Sequence, residues 1–273
     1  MTSIDKMSSK PTTDNATIKD NTKGFAPVNG LEMYYEIHGS GTPLVLIHGG
    51  GSTIQTTFGR VLNHFAASHK VIAVEMQAHG HTADIDRPLS FHQDADDIAE
   101  LLKHLNISKA NLFGFSNGAS TTLQFAIRHP EMTNKIIVAS AFYKKSGAPD
   151  GFWDMMYKPT FEGMPYSLKD AFLKINPDMN ALHRMYDRDV ARMQSFPDIL
   201  DEQMRSINAP AFIILGDRDV ITPEHAAVMH HLLSNSRLAI IPGGHGDYIG
   251  EITTPQDSIL IAATVSLINR FLI

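Results

Sequence analysis

Residues 110–129 read ANLFGFSNGASTTLQFAIRH, and this stretch decides the fold. Residues 110–115 form a continuous apolar run typical of a buried strand, and residues 118–129 have the pattern of a helix. Between them, residues 114–118 are a G-x-S-x-G motif. A strand that turns this sharply into a helix strains the backbone at the serine, and the flanking glycines remove the Cβ atoms that would clash there. The pattern predicts that Ser116 presents its hydroxyl at the carboxyl edge of a sheet.

Apolar strands alternate with helical patterns along the rest of the chain. Residues 25–37 are predicted to form a hairpin, because Asn29-Gly30 supplies the positive φ angles of a tight turn. Further strands are predicted at 43–48, 71–76, 110–115, 135–140, 211–215 and 238–241, and helices at 55–67, 91–105, 118–129, 223–233 and 255–271. This alternation is typical of an α/β protein with a mostly parallel sheet and helices on both faces.

The alternation is interrupted over residues 141–207, which contain helical patches and no clear strand. We expect an inserted helical cap there, with the core domain formed by residues 25–140 and 208–273. Residues 1–24 are polar and hold no apolar run suited to a signal peptide, so a flexible leader is expected. No stretch approaches the roughly 20 apolar residues of a membrane-spanning helix. We therefore expect a cytoplasmic protein without a membrane partner.

Composition excludes several classes of function. The chain has 273 residues, a formal net charge of −6 and no cysteine. Without cysteine there is no disulfide scaffold, no thiolate nucleophile and no cysteine-based zinc site. A mildly acidic chain with scattered charges also lacks the basic footprint that nucleic-acid binding needs, so no nucleic-acid partner is expected.

Two further polar segments directly follow predicted strands. Gly216-Asp217-Arg218-Asp219 follows strand 211–215, and Gly243-Gly244-His245-Gly246 follows strand 238–241. A nucleophilic serine needs a base to take its proton and an acid to orient that base. Because the carboxyl ends of parallel strands meet at one sheet edge, Ser116 and His245 are expected to lie near each other, with Asp217 or Asp219 as the acid.

The segment His48-Gly49-Gly50-Gly51 begins at the last residue of strand 43–48. Acyl transfer passes through an oxyanion, and backbone N–H groups aimed at it supply a large stabilisation. We assign the N–H groups of Gly50 and of Asn117, the residue after Ser116, to an oxyanion hole. A phosphate cradle is the weaker interpretation, because the G-x-x-x-x-G-K-[ST] pattern and a nearby lysine are missing.

The set HGGG, GFSNG, GDRD and GGHG, spread over residues 25–273, resembles the α/β-hydrolase superfamily. The resemblance is to its single-domain esterases, lactonases, cofactor-free perhydrolases and carbon-carbon hydrolases. It implies the α/β-hydrolase fold and a triad in the chain order Ser116, Asp219, His245. It also places the acid three residues beyond Gly216, which favours Asp219 and leaves Asp217 to cap the turn.

The loop after strand 71–74 departs from the sequence pattern that is usual in this family. After strand 71–74 the family usually has Asp-x-x-Gly-x-Gly-x-Ser, whereas residues 75–82 read EMQAHGHT. Ala78 therefore replaces the first glycine, which puts the shape of this loop in doubt. His79 and His81 suggest a metal site, but without a third ligand in register the favoured interpretation is that they shape the loop. No metal is expected.

The predicted cap is rich in methionine. It holds seven of the 13 methionines and the only tryptophan. Methionine adapts to varied shapes, so such a lid suggests a sizeable apolar substrate, although packing of short cap helices explains the composition equally well. The candidate substrate-binding residues are Phe142, Trp153, Met156, Tyr157, Phe161 and Met185. Macrolide esterases, which open large lactone rings, are one subgroup that the chain resembles in build, but no motif selects them.

The function that these residues predict is hydrolysis of a carboxylic ester or lactone through an acyl-enzyme, with no cofactor. A small-molecule receptor on the same scaffold, with little turnover, is an alternative. A perhydrolase or a carbon-carbon hydrolase would keep the same triad and change the acceptor or the bond. The residues do not predict the oligomeric state.

Overall fold

A computed structural model describes residues 22–273, and these form an eight-stranded sheet. In chain order the strands are β1 (Thr22–Val28), β2 (Leu31–His38), β3 (Thr42–Ile47), β4 (His69–Val74), β5 (Ala110–Phe115), β6 (Thr133–Ala139), β7 (Ala211–Gly216) and β8 (Ser236–Ile241). They lie in the order β1-β2-β4-β3-β5-β6-β7-β8. Strand β2 is antiparallel to both β1 and β4, and the other neighbours are parallel. The predicted mostly parallel sheet is confirmed.

Ten α-helices are present in the described part of the chain. They are α1 (Ile54–Phe58), α2 (Leu62–Ala66), α3 (Phe91–His104), α4 (Asn117–Arg128), α5 (Phe152–Tyr157), α6 (Tyr166–Ile175), α7 (Met179–Gln194), α8 (Asp201–Arg205), α9 (Pro223–Leu232) and α10 (Ser258–Leu272). Apolar side chains of α3, α4 and α9 pack on one face of the sheet, and those of α1, α2 and α10 pack on the other. The sheet is therefore covered on both faces, as parallel strands require.

The hairpin of β1 and β2 is closed by Asn29 and Gly30, whose φ angles are +49° and +83°. This is the positive-φ pair that the Asn-Gly dipeptide predicts. Strand β1 begins at Thr22, so the predicted leader, residues 1–24, extends three residues too far into the strand. Those three residues pair with β2, and their polar character alone does not predict this pairing. The rest of the predicted leader lies outside the described residues.

The prediction of a single helix at 55–67 is wrong, because the structure has two short helices there, α1 and α2. Helix α1 ends at Phe58 and is capped by Gly59, whose N–H donates to the carbonyl of Gln55. Glycine is a poor helix former, and here it closes the first helix before Leu62 begins the second. Apolar periodicity continues across the break, since Phe58, Leu62 and Phe65 all face the same core.

The chain between β6 and β7 holds helices α5, α6, α7 and α8 and no strand. This is the segment predicted to be a cap. Helix α7 contacts both α5 and α6, whereas α8 contacts α4 and α9, which pack on the sheet. None of the helices within residues 22–273 combines the length and apolar character needed to cross a membrane.

Candidate active site

Ser116 stands at the sharp turn between β5 and α4. Its backbone has φ +55° and ψ −120°, a positive-φ conformation that is costly for a residue with a Cβ. The turn is held by three backbone hydrogen bonds: the Ser116 N–H donates to Ala139 O, and the Ala119 and Ser120 N–H groups donate to Ser116 O. Ser116 lines a cavity of about 610 Å³ at the carboxyl ends of the parallel strands. The predicted turn is therefore present.

The two glycines of the motif allow β5, α4 and β3 to come together. A Cβ built on Gly114 would lie 2.1 Å from Gly118 O, and one built on Gly118 would lie 2.1 Å from Ile47 O. Both distances are far below van der Waals contact, and both partners are backbone atoms that cannot move aside. The spacing of glycines around Ser116 is therefore a packing requirement of the turn.

His245 and Asp219 are brought together by the loops after β8 and β7. The His245 Nδ1 lies 2.7 Å from the Asp219 Oδ1, and the Asp219 side chain is fully buried. The imidazole packs against the Phe115 ring, with 4.7 Å between centroids, and His245 lines the same cavity as Ser116. Because Nδ1 faces the carboxylate, Nε2 is the ring nitrogen left to exchange protons with a reacting group.

The Asp219 carboxylate is held by further donors. Its Oδ2 accepts hydrogen bonds from the Ser140 hydroxyl and from the Gly216 N–H, the latter at 3.1 Å. Burial alone raises the pKa of Asp219, but the hydrogen bond and charge of His245 and the bond from Ser140 outweigh it and hold this pKa below its usual range. Asp219 therefore stays ionised and oriented toward the imidazole. Ser140, at the end of β6, was missed by the sequence motifs.

Asp217, the other acidic candidate, has a different partner. Its side chain accepts a hydrogen bond of 2.8 Å from the Gly243 N–H, and its own N–H donates to Ile241 O. Asp217 thus ties the loop after β7 to the loop after β8. This is the turn-capping position that the sequence assigned to it, and its carboxylate makes no contact with His245 within the described residues.

Gly50 and Asn117 lie side by side at the cavity. A Cβ on Gly50 would be 2.4 Å from the Asn117 Nδ2, and both residues line the cavity with Ser116. Among residues 22–273, neither backbone N–H donates to an acceptor, whereas the neighbouring Gly49 and Gly51 N–H groups do. Two free donors next to a nucleophile are the arrangement that an oxyanion hole requires.

His48 shapes the loop that carries Gly50. Its Nδ1 donates to Gly49 O at 2.7 Å, and its Nε2 accepts from the Met76 N–H at 3.1 Å. Burial and, to a smaller extent, the charge of the nearby His79 lower the pKa of His48 to about 3. The imidazole is therefore neutral and links the loop after β3 to the loop after β4.

A family model described as the alpha/beta hydrolase fold matches residues 42–189, more than half of the chain. The chain belongs to the α/β-hydrolase family. The match includes the glycine run after β3 and the turn at Ser116.

Relatives of this α/β hydrolase include a human protein named serine hydrolase BPHL, which is 26% identical over 82% of this chain and 79% of its own. The 2-hydroxy-6-oxo-6-(2'-aminophenyl)hexa-2,4-dienoic acid hydrolase of Metapseudomonas resinovorans is 27% identical over 90% of both chains. Among solved structures, the enol-lactonase of Burkholderia xenovorans has a TM-score of 0.70 at 22% identity, covering 91% of this chain and 99% of its own. At these identities the structural match shows the fold.

The cavity wall agrees only in part with the substrate-binding residues predicted from the sequence. Phe142 and Met156 line it, but Trp153, Tyr157, Phe161 and Met185 do not. Met185 is fully buried between cap helices, and the Trp153 ring is turned to donate its N–H to Lys145 O. Tyr157 is half exposed, and Phe161 stacks on His183. Composition places these residues in the cap, but it does not tell which face of each helix meets the cavity.

Several lining residues of the hydrolase were missed. They are Phe152, Met155, Met164, Leu168, Tyr186, Asp189, Val190, Met193 and Val220. Four of them follow helical spacing on α7, at i, i+3, i+4 and i+7, so they share one helix face. Spacing within residues 179–194 is therefore a signal that could have found them.

The loop after β4 keeps a left-handed residue where the family usually has glycine. Ala78 has a φ of +69° and packs against Met185 and other apolar side chains of the cap. The histidines on either side of Gly80 contact different carboxylates, His79 that of Asp189 and His81 that of Glu75. They fix the loop, which is the favoured interpretation of this pair.

The hydrogen-bond partners of the His79 side chain require its charged form. Its Nδ1 lies 2.9 Å from Gln77 O and its Nε2 lies 2.9 Å from the Asp189 Oδ2. Both partners are acceptors, so both ring nitrogens must carry a proton. Burial alone lowers the pKa of His79, but the charge of Asp189 and the hydrogen bond to it outweigh burial and raise this pKa above its usual 6.5.

Replacing His79 with glutamine is expected to remove a pH-dependent part of the stability. A histidine with a raised pKa contributes stability that is full below about pH 6.5 and is lost as the pH rises through its folded pKa. The difference in unfolding free energy between the wild type and His79→Gln should therefore fall with rising pH, by at most about 1.4 kcal/mol per pH unit. Urea unfolding at several pH values from about 6 to 9 measures it.

The matched control is His64→Gln, which removes an exposed histidine from α2. Its unfolding free energy should stay parallel to that of the wild type over the same pH range. A His79→Gln difference that is constant, or that grows with pH, contradicts the charged state assigned to His79.

Proposed function

We propose that this α/β hydrolase cleaves a carboxylic ester or lactone through a Ser116-His245-Asp219 triad. The observation that carries the proposal is the meeting of the strained Ser116 turn and the Asp219-His245 hydrogen bond at one cavity. Ser116 is the candidate nucleophile, His245 the base, and Asp219 the group that orients it. The free N–H groups of Gly50 and Asn117 are the candidate oxyanion hole.

The mechanism follows from these positions. The Ser116 hydroxyl attacks the carbonyl carbon while His245 Nε2 takes its proton, and the carbonyl oxygen becomes an oxyanion between the two N–H groups. Collapse of this intermediate breaks the bond to the leaving alcohol, which receives the proton from His245. Water then attacks the acyl-enzyme, with His245 again as base, and releases the acid and the free serine.

The cavity lining favours an apolar, uncharged substrate. Most of its wall is apolar, with Met155, Met156, Met164 and Met193 among the lining residues. Methionine-rich walls adapt to bulky ligands, so a large ester or lactone, such as a macrolide, is a candidate. Lysine occurs once in the lining contributed by residues 22–273, at the exposed Lys158.

Carbon-carbon hydrolysis is the second candidate. It is favoured by the 27% identity, over 90% of the chain, to a hydrolase of a substituted hexadienoic acid. That substrate carries a carboxylate at the opposite end of its six-carbon chain from the C6 carbonyl, and a cavity built for it would need a well-placed cation at that end. Among residues 22–273, the lysine and arginine side chains in the cavity lining are limited to Lys158, which is exposed. We therefore rank the ester or lactone first.

A substrate panel separates the candidates. We expect multiple turnovers on p-nitrophenyl esters and on neutral lactones, including macrolides. Their kcat/KM should be at least about tenfold above that for a 2-hydroxy-6-oxo-hexadienoate, because a carboxylate that is desolvated without a cationic partner costs about 1.4 kcal/mol or more. A preference for the dienoate assigns the carbon-carbon reaction instead. A single turnover on every ester would indicate a receptor, and activity only with peroxide would indicate a perhydrolase.

A further inference from the structure

Asp189 connects the cap to the oxyanion loop of the core. It lies on α7, lines the cavity, and accepts a hydrogen bond of 2.6 Å from the Gly51 N–H through Oδ2. The two residues are 138 positions apart in the chain. Gly51 directly follows Gly50, whose N–H is a candidate oxyanion donor. A cap residue thus holds the peptide next to that donor.

Two side chains crowd the position where a Cβ on Gly50 would lie. Such a Cβ would be 3.2 Å from the Asp189 Oδ2 and 2.4 Å from the Asn117 Nδ2. The carboxylate and the amide therefore fill the space that a side chain on Gly50 would need. With the Gly51 N–H bonded to Asp189, the Gly50 peptide has little freedom to rotate, and its own N–H stays free for a ligand.

The Asp189 carboxylate is itself fixed on every side. Its Oδ1 accepts from the Arg192 guanidinium, and its Oδ2 accepts from His79 at 2.9 Å as well as from Gly51. Arg192 also donates to Asp94 on α3 at 2.8 Å. Asp189 therefore cannot change rotamer without breaking buried charge contacts, which are costly to leave unpaired.

The same contacts determine how the negative charge of the Asp189 carboxylate affects the oxyanion hole. A bare carboxylate next to an oxyanion hole would oppose the negative charge that develops in the transition state. Here two cations, Arg192 and the doubly protonated His79, contact the carboxylate directly. Its charge is offset locally, while its oxygen still accepts the Gly51 N–H.

We infer that Asp189 is a positioning residue for the oxyanion hole: by accepting the Gly51 N–H, it aims the Gly50 N–H at the reacting carbonyl. The inference rests on the proposed function, because it assigns Asp189 a role in acyl transfer. It makes the oxyanion hole complete only when α7 is docked on the core. The cap then contributes to the chemical step in addition to enclosing the substrate.

The matched variants are Asp189→Ala and Arg188→Ala. Arg188 is the neighbouring residue on α7 and also ties the cap to the core, through Asp84 at 3.1 Å and Ile85 O at 3.2 Å. It makes no contact with the oxyanion loop among the described contacts. Both variants weaken cap docking, but only Asp189→Ala removes the acceptor of the Gly51 N–H.

Two measurements compare them, the rate of labelling by a fluorophosphonate and steady-state hydrolysis of a p-nitrophenyl ester. Asp189→Ala should lower both the labelling rate and kcat by about 10- to 100-fold with KM changed less than about threefold, because loss or misplacement of one oxyanion donor acts on the transition state. Arg188→Ala should keep the labelling rate and kcat within about threefold of the wild type. Thermal unfolding establishes that each variant is folded.

Two outcomes overturn the inference. One is a folded Asp189→Ala enzyme that is labelled at the wild-type rate. The other is an Arg188→Ala enzyme that loses as much as Asp189→Ala, since cap docking would then explain both losses. A wild-type protein that is neither labelled nor active on esters would instead overturn the proposed function.

Amide hydrogen exchange of the wild-type protein tests the contact without a variant, and so applies even if Asp189→Ala does not fold. The Gly51 amide should exchange at least about 100-fold more slowly than the Gly50 amide, because only the former is hydrogen-bonded. If NMR shows that these adjacent amides exchange at equal rates, the hydrogen bond from the Gly51 N–H to Asp189 is not formed. This readout is independent of whether the protein hydrolyses esters.

Discussion

Ser116→Ala is expected to lower kcat for ester hydrolysis by on the order of 10⁶ and to abolish labelling by a fluorophosphonate. Alanine keeps the small side chain that the strained turn tolerates, with φ +55°, but it removes the oxygen that forms the acyl-enzyme. Binding should change little, because the cavity wall is otherwise intact. Burst kinetics with a p-nitrophenyl ester and mass spectrometry of the labelled protein measure both effects.

Ser120→Ala is the matched control for this variant. Ser120 lies one turn further along α4 and lines the same cavity, but it is not at the strained turn. The control should still be labelled, and on Ser116. Labelling that persists in Ser116→Ala, or disappears in Ser120→Ala instead, would show that the nucleophile has been assigned to the wrong residue.

Asp219→Asn is expected to reduce kcat by on the order of 10⁴ while the fold is retained. An amide in place of the carboxylate presents an N–H to His245 Nδ1, which favours the tautomer that carries its proton on Nε2. That nitrogen can then no longer accept the proton of Ser116. Steady-state kinetics, with circular dichroism to confirm the fold, measures the loss.

Asp217→Asn, two positions away in the same loop, is the control. Its side-chain oxygen can still accept the hydrogen bond from the Gly243 N–H, so kcat should stay within about threefold of the wild type. If Asp217→Asn loses activity and Asp219→Asn keeps it, the acid of the triad has been assigned to the wrong aspartate.

The sequence predicted the parts of the site that lie at strand ends. Ser116, Asp219 and His245 each follow an apolar strand, and parallel strands bring their carboxyl ends to one edge. Local chemistry therefore sufficed to place them near one another. The glycines of the motif predicted the sharp turn at Ser116, because only glycine permits the close approach of β5, α4 and β3.

Of the six substrate-binding residues that the sequence predicted, only Phe142 and Met156 line the cavity. Trp153 and Met185 have the composition of pocket residues, yet one turns to Lys145 and the other is enclosed between helices. In short helices joined by irregular segments, the spacing of residues does not show which helix face meets the cavity. Helix α7, the longest of the cap helices, has a spacing that defines a face, and that face carries Asp189 to the cavity.

By itself, then, the sequence determined the fold and the candidate triad, because both depend on strand order and on local backbone requirements that residue types express directly. Only the tertiary structure decided how the cap meets the core. The hydrogen bond from Gly51 to Asp189 joins residues 138 positions apart, and the charges of His79 and Arg192 make it possible to bury that carboxylate. Such a contact depends on the docking of one helix, which no local pattern specifies.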